Sequence, residues 1–541
     1  MTALLLGPHL RHVSERTATI WVETERPCEV RVVNREHGVD AGAPTFTAHG
    51  HHYALVEIDG LAPGARVPYE VLVDGETVWP EEGDGYPPPR LRTLDPDGGL
   101  RISFGSCRRS PGTVEEFGHD ALTALAQRLR GADDADWPDL LLMVGDQVYA
   151  DELSDEMREF IRGRRAPGDP PDDEAADFED YTHLYKLAWH DDPAVRWLLS
   201  TVPTFTIFDD HDIRDDWNTS LAWREEMWSQ PWWKARITGG IGSYWIYQHL
   251  GNMSPGDRAS DPVFKALRTA SDESGDAGAV LDEFAEKADK EPAGTRWSYA
   301  HDWGGTRLIV VDSRCSRLLT ADRRGMLDDE EFQWLDDQCQ GGMDHLLIAS
   351  SLPYLLPKAI HHAESWNEAM AGGAWGKAAG RLGEKIRQAA DLEHWAAFEK
   401  SFRAVAADVV SVARGERGPA PASISFLSGD IHYSYLARVI EPGVQSKVTQ
   451  IVCSPLRNPL IGKFRMANRI ACSRAAGAPF RALAKLSKVP APPIRWRMTD
   501  GPWFDNAIAT VHLSGRECDV RWDTPRDGGG LTEMGRAKIT G

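Results

Sequence analysis

The 541-residue sequence has few cysteines and no long apolar run. Its seven cysteines are scattered and form no Cys-x-x-Cys pair, so we expect reduced thiols without a disulfide framework. No apolar run approaches the ~18 residues that a membrane span requires. The first residues include three leucines, but no basic stretch and no Arg-Arg pair precede them, which argues against a signal peptide. From these absences we expect a cytoplasmic protein.

Basic residues are scarce relative to acidic ones. The chain has 60 Lys and Arg against 82 Asp and Glu, which gives a formal net charge of −22. This balance disfavours a nucleic-acid-binding protein, so we expect no specific nucleic-acid partner. The hydrophobic content of 42% is ordinary for a globular protein. At ~100–200 residues per domain, the length indicates two or three domains, while the oligomeric state stays open.

The local sequence pattern changes near residue 100. Before it, short segments such as Thr17–Thr24 alternate apolar and polar residues, and Gly, Pro and Asp turns separate them. This pattern predicts an N-terminal β-sandwich over residues 1–95. After it, strands alternate with helices, one of them a long helical pattern over 383–413, which predicts an α/β domain. We assign this domain to 100–525, with insertions near 155–200 and 215–300.

Four predicted strands of the α/β domain end in side chains that can bind metal ions. Carboxylate, imidazole, thiolate and phenolate groups are ligands for hard or borderline cations. Acidic groups gathered at one rim of a sheet would repel one another, and a bound cation removes that penalty. The convergence of these strand ends would create a metal site. The four groups are Ser106-Cys107, Gly145-Asp146-Gln-Val-Tyr149-Ala-Asp151, Asp209-Asp210-His211-Asp212 with Asp215 and Asp216 after it, and Ser428-Gly429-Asp430-Ile-His432.

Each of these motifs alone also has a purely structural interpretation. A single Gly-Asp is usually a turn in which the Asp caps a helix. A lone cysteine such as Cys107 is usually a small buried apolar residue, and His211 could be a surface side chain between acids. Two Gly-Asp strand exits together with an Asp-Asp-His-Asp exit favour the metal site.

In their order along the chain, these motifs resemble the alkaline phosphatase D (PhoD-like) branch of the metallophosphoesterases. The resemblance includes Asp312-Ser-Arg314 and covers residues from about 100 to 435. It implies a four-layer α/β/β/α catalytic domain preceded by a small N-terminal β-sandwich. It also implies hydrolysis of phosphodiesters, phosphomonoesters or both by a metal-bound hydroxide at a two-metal site. The substrate would be a small or polymeric phosphoester.

The resemblance further implies a set of metal ligands. The two metals would be Fe³⁺ and Ca²⁺, with Zn²⁺ or Mn²⁺ as alternatives. Asp146 would bridge them and so take part directly in catalysis. At the position of Asp215 the branch usually has an asparagine, and Ser350-Ser351 stands where the superfamily often has a histidine. The full expected set is Cys107, Asp146, Tyr149 and His432 for iron, and Asp146, Asp430 and Asp210 or Asp215 for the second ion.

Four further residues are candidates for contact with the reacting phosphoester. His211 could act as the general acid for the leaving group or could orient a metal ligand. Arg108, Arg109 and Arg314 could contact phosphate, because a guanidinium binds two phosphate oxygens at once. Each arginine alone is more often part of a surface ion pair.

Two segments have unusual composition and more than one interpretation. Six tryptophans between residues 217 and 245 could form the core of an insertion or an aromatic wall over the site. The basic segment 462–498 contains nine Lys and Arg and no Asp or Glu. It could form solvated helices, a lid that attracts an anionic substrate, or a weak contact with an anionic membrane surface.

Two other function classes stay open at this point. A glycosidase with a carboxylate pair would work without metal. A catalytically inactive PhoD-like binding protein, which Asp215 would support, would bind metal weakly or not at all. The metal content of the purified protein separates these classes from a metal-dependent phosphoesterase.

Overall fold

The computed structural model describes residues 4–81, 83, 85–133, 136–320, 322–473 and 476–541. The N-terminal region consists of short strands, in agreement with the alternating sequence pattern. Its strands are β1 (Leu4–Val13), β2 (Ala18–Thr24), β3 (Glu29–Asn34), β4 (Val39–Pro44), β5 (Phe46–Ala48), β6 (His51–Ile58), β7 (Arg66–Pro68), β8 (Glu70–Val73), β9 (Glu76–Trp79) and β10 (Arg90–Arg92). They form two four-stranded sheets, ordered β1-β2-β6-β5 and β4-β3-β8-β9, and a β10-β7 pair.

The rest of the chain alternates strands with helices. Its strands are β11 (Leu100–Gly105), β12 (Leu140–Val144), β13 (Thr204–Ile207), β14 (Tyr299–Trp303), β15 (Thr306–Val311), β16 (Leu318–Leu319), β17 (Arg324–Gly325), β18 (His345–Ser350), β19 (Ser423–Ser428), β20 (Ser434–Val439), β21 (Lys447–Val452), β22 (Trp496–Trp503), β23 (Ile508–Ser514), β24 (Glu517–Pro525) and β25 (Leu531–Lys538). Its helices are α1 (Val114–Phe117), α2 (Ala121–Arg130), α3 (Asp155–Arg162), α4 (Phe178–Trp189), α5 (Pro193–Thr201), α6 (Leu221–Trp228), α7 (Trp233–Tyr244), α8 (Leu250–Asn252), α9 (Pro255–Ser260), α10 (Pro262–Ser274), α11 (Gly278–Lys290), α12 (Asp329–Gln338), α13 (Lys358–Ala371), α14 (Lys377–Ala389), α15 (Glu399–Ala413), α16 (Gly462–Ala471) and α17 (Gly477–Leu486).

Two large sheets form the centre of this α/β region. The six-stranded sheet has the order β13-β12-β11-β23-β24-β25, and the seven-stranded sheet has the order β14-β15-β18-β19-β21-β20-β22. Strands β11, β12 and β13 are parallel neighbours, as are β15, β18, β19 and β21. The carboxyl ends of parallel neighbours lie on the same edge of a sheet, so the residues that follow these strands are brought together.

The two faces of the seven-stranded sheet belong to different apolar cores. In β15, Leu308 and Val310 pack in the core shared with the six-stranded sheet. Their neighbours Ile309 and Val311 pack in a second core with Phe402 of α15. Since successive side chains of a strand point to opposite faces, this separation places two sheets face to face between outer helices. The predicted α/β fold with an N-terminal β-rich region is confirmed.

The predicted helix over 383–413 is wrong as a continuous element. Helix α14 ends at Ala389 and α15 begins at Glu399, with a single 3₁₀ turn at Trp395–Ala397 between them. Residue Asp391 has a positive φ of 47°, which a continuing α-helix cannot contain. Because of this interruption, Glu393 and His394 lie outside both helices, where they contact Arg314 and Asp430.

The segments predicted as insertions are built from helices. Residues 155–200 contain α3 to α5, and residues 215–300 contain α6 to α11 with a π-helical turn at Trp245–His249. Within the described residues, no helix has the length and apolar character needed to cross a bilayer.

Candidate active site

Four of the predicted metal ligands lie directly after strands in a left-handed backbone conformation. The φ angles are 57° at Cys107, 51° at Asp146, 65° at Asp430 and 58° at His432. This conformation is uncommon for residues other than glycine, and such residues are often found at functional sites. It turns the chain sharply near the strand end, and the four side chains meet where the ends of β11 and β12 in one sheet approach the end of β19 in the other.

Asp146 lies at the centre of three overlapping groups of metal-type ligands. Within each group, one ligand atom per residue lies within 4.8 Å of all the others. Because Asp146 belongs to every group, its carboxylate can face two cation positions. The groups are Cys107, Asp146 and His432; Asp146, Asp210 and His211; and Asp146, Asp209, Asp210 and Asp430.

The thiol of Cys107 is fully buried among hydroxyl groups. Its Sγ lies 3.0 Å from Ser106 Oγ and accepts a hydrogen bond from Ser454 Oγ at 3.3 Å. Burial, together with the negative charges of Asp146 and Asp430, raises the pKa of Cys107 well above its ordinary value. A thiol in such a place becomes a thiolate only when a cation binds to it.

Tyr149 borders the same group. Its Oη lies 3.4 Å from Asp146 Oδ2 and accepts a hydrogen bond from Asn458 Nδ2 at 3.0 Å. Burial and the neighbouring Asp146 charge raise the pKa of Tyr149 well above its ordinary value. The phenol is therefore oriented by Asn458 and is placed beside the bridging carboxylate, where a cation would favour its deprotonated form.

The carboxylates of the site are not fully satisfied by the protein. Asp146 Oδ1 and Asp209 Oδ2 are buried and have no hydrogen-bond partner among the described residues. Burial raises the pKa of Asp146 well above its ordinary value, and the charge of Asp209 adds to this increase. Unpartnered buried carboxylate oxygens are costly, and positive ions would compensate them. The donor set of thiol, phenol, imidazole and carboxylates thus fits two cations.

His211 is held by Asp151. Its Nδ1 lies 2.8 Å from Asp151 Oδ1 and donates a hydrogen bond to it, so Nε2 is the nitrogen that carries the second proton of the charged imidazole. Burial by itself lowers the pKa of His211, but the charge of Asp151 and this hydrogen bond outweigh it, and the net pKa is well above the ordinary value. The imidazole can therefore carry a proton beside Asp146 and Asp210.

Two of the three predicted phosphate-binding arginines are directed into the protein. The Arg314 guanidinium is fully buried; it pairs with Asp209, lies 3.1 Å from Asp210 Oδ1 and lies 2.5 Å from Glu393 Oε2. Its positive charge thus offsets the negative charges of Asp209 and Asp210 in the third ligand group. Arg108 is also buried, with its Nε 2.8 Å from Asp120 Oδ2. Both guanidinium groups are occupied by internal partners, which leaves them little reach towards a substrate.

Arg109 has a different position. Its guanidinium lies 5.4 Å from the centre of the Tyr149 ring, and its Nη1 lies 2.6 Å from Glu152. Its side chain keeps 21% of its surface exposed. Of the three predicted arginines, Arg109 is the one at the open rim of the ligand groups.

Asp215 lies apart from the ligand groups. Its side chain is 65% exposed, and its carboxylate is 3.9 Å from His211 Nε2. Its backbone N–H donates to Asp151 Oδ2 at 2.5 Å. Of the two residues predicted as alternatives, Asp210 therefore belongs to the ligand groups. Asp215 faces solvent near His211.

The broken helix supplies residues that the sequence patterns missed. His394 lies 2.9 Å from Asp430 Oδ2 through Nε2 and 2.8 Å from Glu364 Oε1 through Nδ1. It therefore orients Asp430, and Glu393 pairs with Arg314 on the adjacent side. The cluster Asp391-Leu-Glu-His394 within a helical pattern was the available signal, because it puts several ligand-type residues in one short segment.

The tryptophans of 217–245 mainly form a packed core. Trp217, Trp223, Trp233 and Trp245 are buried, whereas Trp228 is 42% exposed and donates to Asp289. The structure favours the insertion-core interpretation over an aromatic wall.

The fold is similar to those of two phosphatases with solved structures. The structure titled "Structure of PhoD" has a TM-score of 0.59 at 12% identity, over 99% of this chain and 92% of that one. A purple acid phosphatase, PPD1 from yellow lupin (Lupinus luteus) seeds, has a TM-score of 0.52 at 10% identity, over 98% and 74%. These similarities show that the chain shares its fold with these two phosphatases.

The sequence itself matches two family models. Residues 114–266 match the PhoD-like phosphatase family, and residues 1–91 match a domain of unknown function, DUF7800. No curated protein sequence matches the chain. The resemblance to the PhoD-like phosphatases that the motifs indicate is thus confirmed by the family model over residues 114–266.

Proposed function

We propose that this protein is a metal-dependent phosphoesterase with two cations at the Asp146 centre. The observation that carries the proposal is the membership of Asp146 in all three ligand groups. Cys107, Tyr149 and His432 would hold one cation beside Asp146, and Asp210 and Asp430 would hold the other. Fe³⁺ suits the thiol and phenol donors, and Ca²⁺ suits the carboxylates; Zn²⁺ and Mn²⁺ are the alternatives.

The protein's own groups have distinct parts in this proposal. When bound, two cations would neutralise the phosphate charge and lower the pKa of the attacking water. His211, held by Asp151, would give its Nε2 proton to the leaving oxygen. Arg109 at the rim would hold a phosphate oxygen, and His394 would keep Asp430 in a binding orientation. Phosphodiesters and phosphomonoesters are both candidate substrates.

Removal of the shared carboxylate tests the proposal. We expect Asp146→Asn to lose both metals and to lower the hydrolysis of bis-p-nitrophenyl phosphate and p-nitrophenyl phosphate by at least ~10³-fold, since all three ligand groups lose a member. Metal content is measured by elemental mass spectrometry on protein purified without chelator or a polyhistidine tag. Asp155→Asn is the matched control, because that side chain is 97% exposed on α3.

The outcomes separate the open function classes. Full activity in Asp146→Asn, or in wild-type protein after chelation, would reject the two-metal enzyme. It would favour a hydrolase that works without metal, such as the glycosidase considered above. A wild-type protein that takes up no metal even after reconstitution would indicate an inactive binding protein. Two zinc or manganese ions would keep the hydrolase and remove only the iron assignment.

A further inference from the structure

Helix α16 presents its apolar side chains to solvent. Phe464, Met466 and Ile470 are 51%, 56% and 59% exposed, and Ile461, just before the helix, is 62% exposed. Met466 and Ile470 are four residues apart and therefore share one face of the helix. A helix on a protein surface ordinarily turns this face inwards.

A neighbouring face of α16, one residue earlier in the helix, carries the charges that contact the protein. The guanidinium groups of Arg465 and Arg469 lie 5.6 Å and 5.5 Å from the centre of the Phe504 ring. Arg465 also donates to the backbone oxygen of Phe504 at 2.8 Å. The helix is thus attached through its two arginines, while more than half of the Met466 and Ile470 side-chain surface stays exposed.

The surroundings of this apolar face are basic. Segment 462–498 contains nine Lys and Arg and no Asp or Glu, although the whole chain has a net charge of −22. Lys463, Lys485 and Lys488 are exposed and pair with no carboxylate in the part of the chain that the structure describes. Leu486, between the last two, is 71% exposed. We call the exposed side chains of residues 461–473 and 476–488 the α16–α17 surface.

In the sequence, this surface begins only a few residues after a residue that contacts the ligand groups. Asn458, whose amide donates to Tyr149 Oη, precedes the first residue of α16 by four positions. Four residues span at most ~14 Å, so α16 begins near the rim of the site. A partner that covers the α16–α17 surface would therefore stand beside the entrance to the candidate active site.

We propose that the α16–α17 surface docks the protein onto an anionic lipid bilayer. The apolar side chains would enter the headgroup boundary, and the unpaired lysines would contact anionic headgroups. A two-fold contact with a second copy fits less well, because it would place one basic segment against the same segment of the partner. This proposal is independent of the phosphoesterase activity, since it concerns binding alone.

Vesicle flotation with the full chain tests the docking. We expect binding to phosphatidylcholine–phosphatidylglycerol vesicles in a two-to-one ratio, weaker binding to phosphatidylcholine alone, and loss of binding as potassium chloride is added. The double variant Met466→Gln, Ile470→Gln should lower the partition coefficient by about tenfold or more. Lys485→Gln and Lys488→Gln should each lower it by about fivefold.

A matched control distinguishes binding by this surface from nonspecific binding by exposed apolar side chains elsewhere. Leu382→Gln changes a side chain that is 54% exposed on α14, and it should bind as the wild type does. Each variant should keep the thermal midpoint of the wild type, measured by circular dichroism, which shows that it is folded. Equal binding by wild type and the double variant, or no binding to anionic vesicles, would overturn the proposal. So would a concentration-dependent dimer, seen by sedimentation velocity, that Ile470→Gln abolishes.

Discussion

At the scale of single residues, the site depends on a few side chains in strained positions. Cys107, Asp146, Asp430 and His432 all follow strands with positive φ, so each points into the same small volume. Buried hydroxyl and amide groups then orient them, as Ser454 does for Cys107. The site therefore has preformed ligands whose unpaired oxygens need cations.

The phenol of Tyr149 gives a spectroscopic prediction. Because its Oη is 3.4 Å from Asp146 Oδ2, a ferric ion held by Asp146 should bind the phenolate and produce a visible charge-transfer band. Tyr149→Phe, reconstituted with ferric iron, should lose that band. Tyr433→Phe is the control, since Tyr433 is as deeply buried and is next to His432 in the sequence. A band that survives in Tyr149→Phe would exclude the phenolate as a ligand.

At the scale of elements, the strands were predictable and the break in the long helix was not. A continuous apolar run marks β12, and a short run of Ile, Phe and Leu between serines marks β19. Ligand-type residues follow both strands within a few positions, so the same local pattern predicts the strands and the candidate site. The positions of His394 and Glu393 depend on contacts with Asp430 and Arg314, which are distant in the sequence. Helical periodicity cannot reveal such contacts, and it also cannot show that Arg314 turns inwards.

Another element-level contact predicts a pH-dependent stability. His51 of β6 lies between Glu23 of β2 and Glu179 of α4, at 2.7 Å and 2.8 Å. Burial alone would lower the pKa of His51, but hydrogen bonds to Glu179 and Glu23 raise it to about 9. The stabilisation is thus complete below pH ~6.5, the value in the unfolded chain, and is lost as pH rises through about 9.

A comparison of variants measures this contribution. We expect His51→Gln to be less stable than wild type by about 2 kcal/mol near pH 6, and the difference should shrink towards zero above the folded-state pKa. Urea unfolding at several pH values measures it, with His37→Gln as the control because His37 is exposed and contacts no carboxylate among the described residues. A difference that is constant with pH would mean that His51 does not bind its extra proton in the folded protein.

At the scale of the whole molecule, the N-terminal strands and the α/β region share one apolar core. The core cluster that includes Trp21 of β2 also includes Leu142 of β12 and Trp522 of β24. The boundary near residue 95 therefore marks a change in the sequence pattern, but the regions on its two sides do not have separate apolar cores. Since cooperative unfolding follows shared burial, we expect the two regions to unfold together.

Arg11 offers the sharpest test of this shared stability. It belongs to β1 and is fully buried against the α/β region, where it donates to Gln248 O at 2.6 Å and to Asn252 Oδ1 at 3.2 Å. At Gly251 a side chain would come within 2.1 Å of Arg11 Nε, so the backbone is shaped around this guanidinium. Arg11→Met removes the donors, leaves buried acceptors unpaired and should cost about 3 kcal/mol.

The location of the loss decides whether the molecule is one cooperative unit. We expect Arg11→Met to lower the midpoint of a single thermal transition and to weaken hydrogen-exchange protection in both β2 and β12, because their side chains lie in the same core. Arg16→Met, at an exposed position of the β1–β2 turn, should leave both unchanged. Loss of protection confined to β1–β10, with β12 still protected, would mean that the N-terminal strands unfold as a separate unit and that Arg11 stabilises only their attachment.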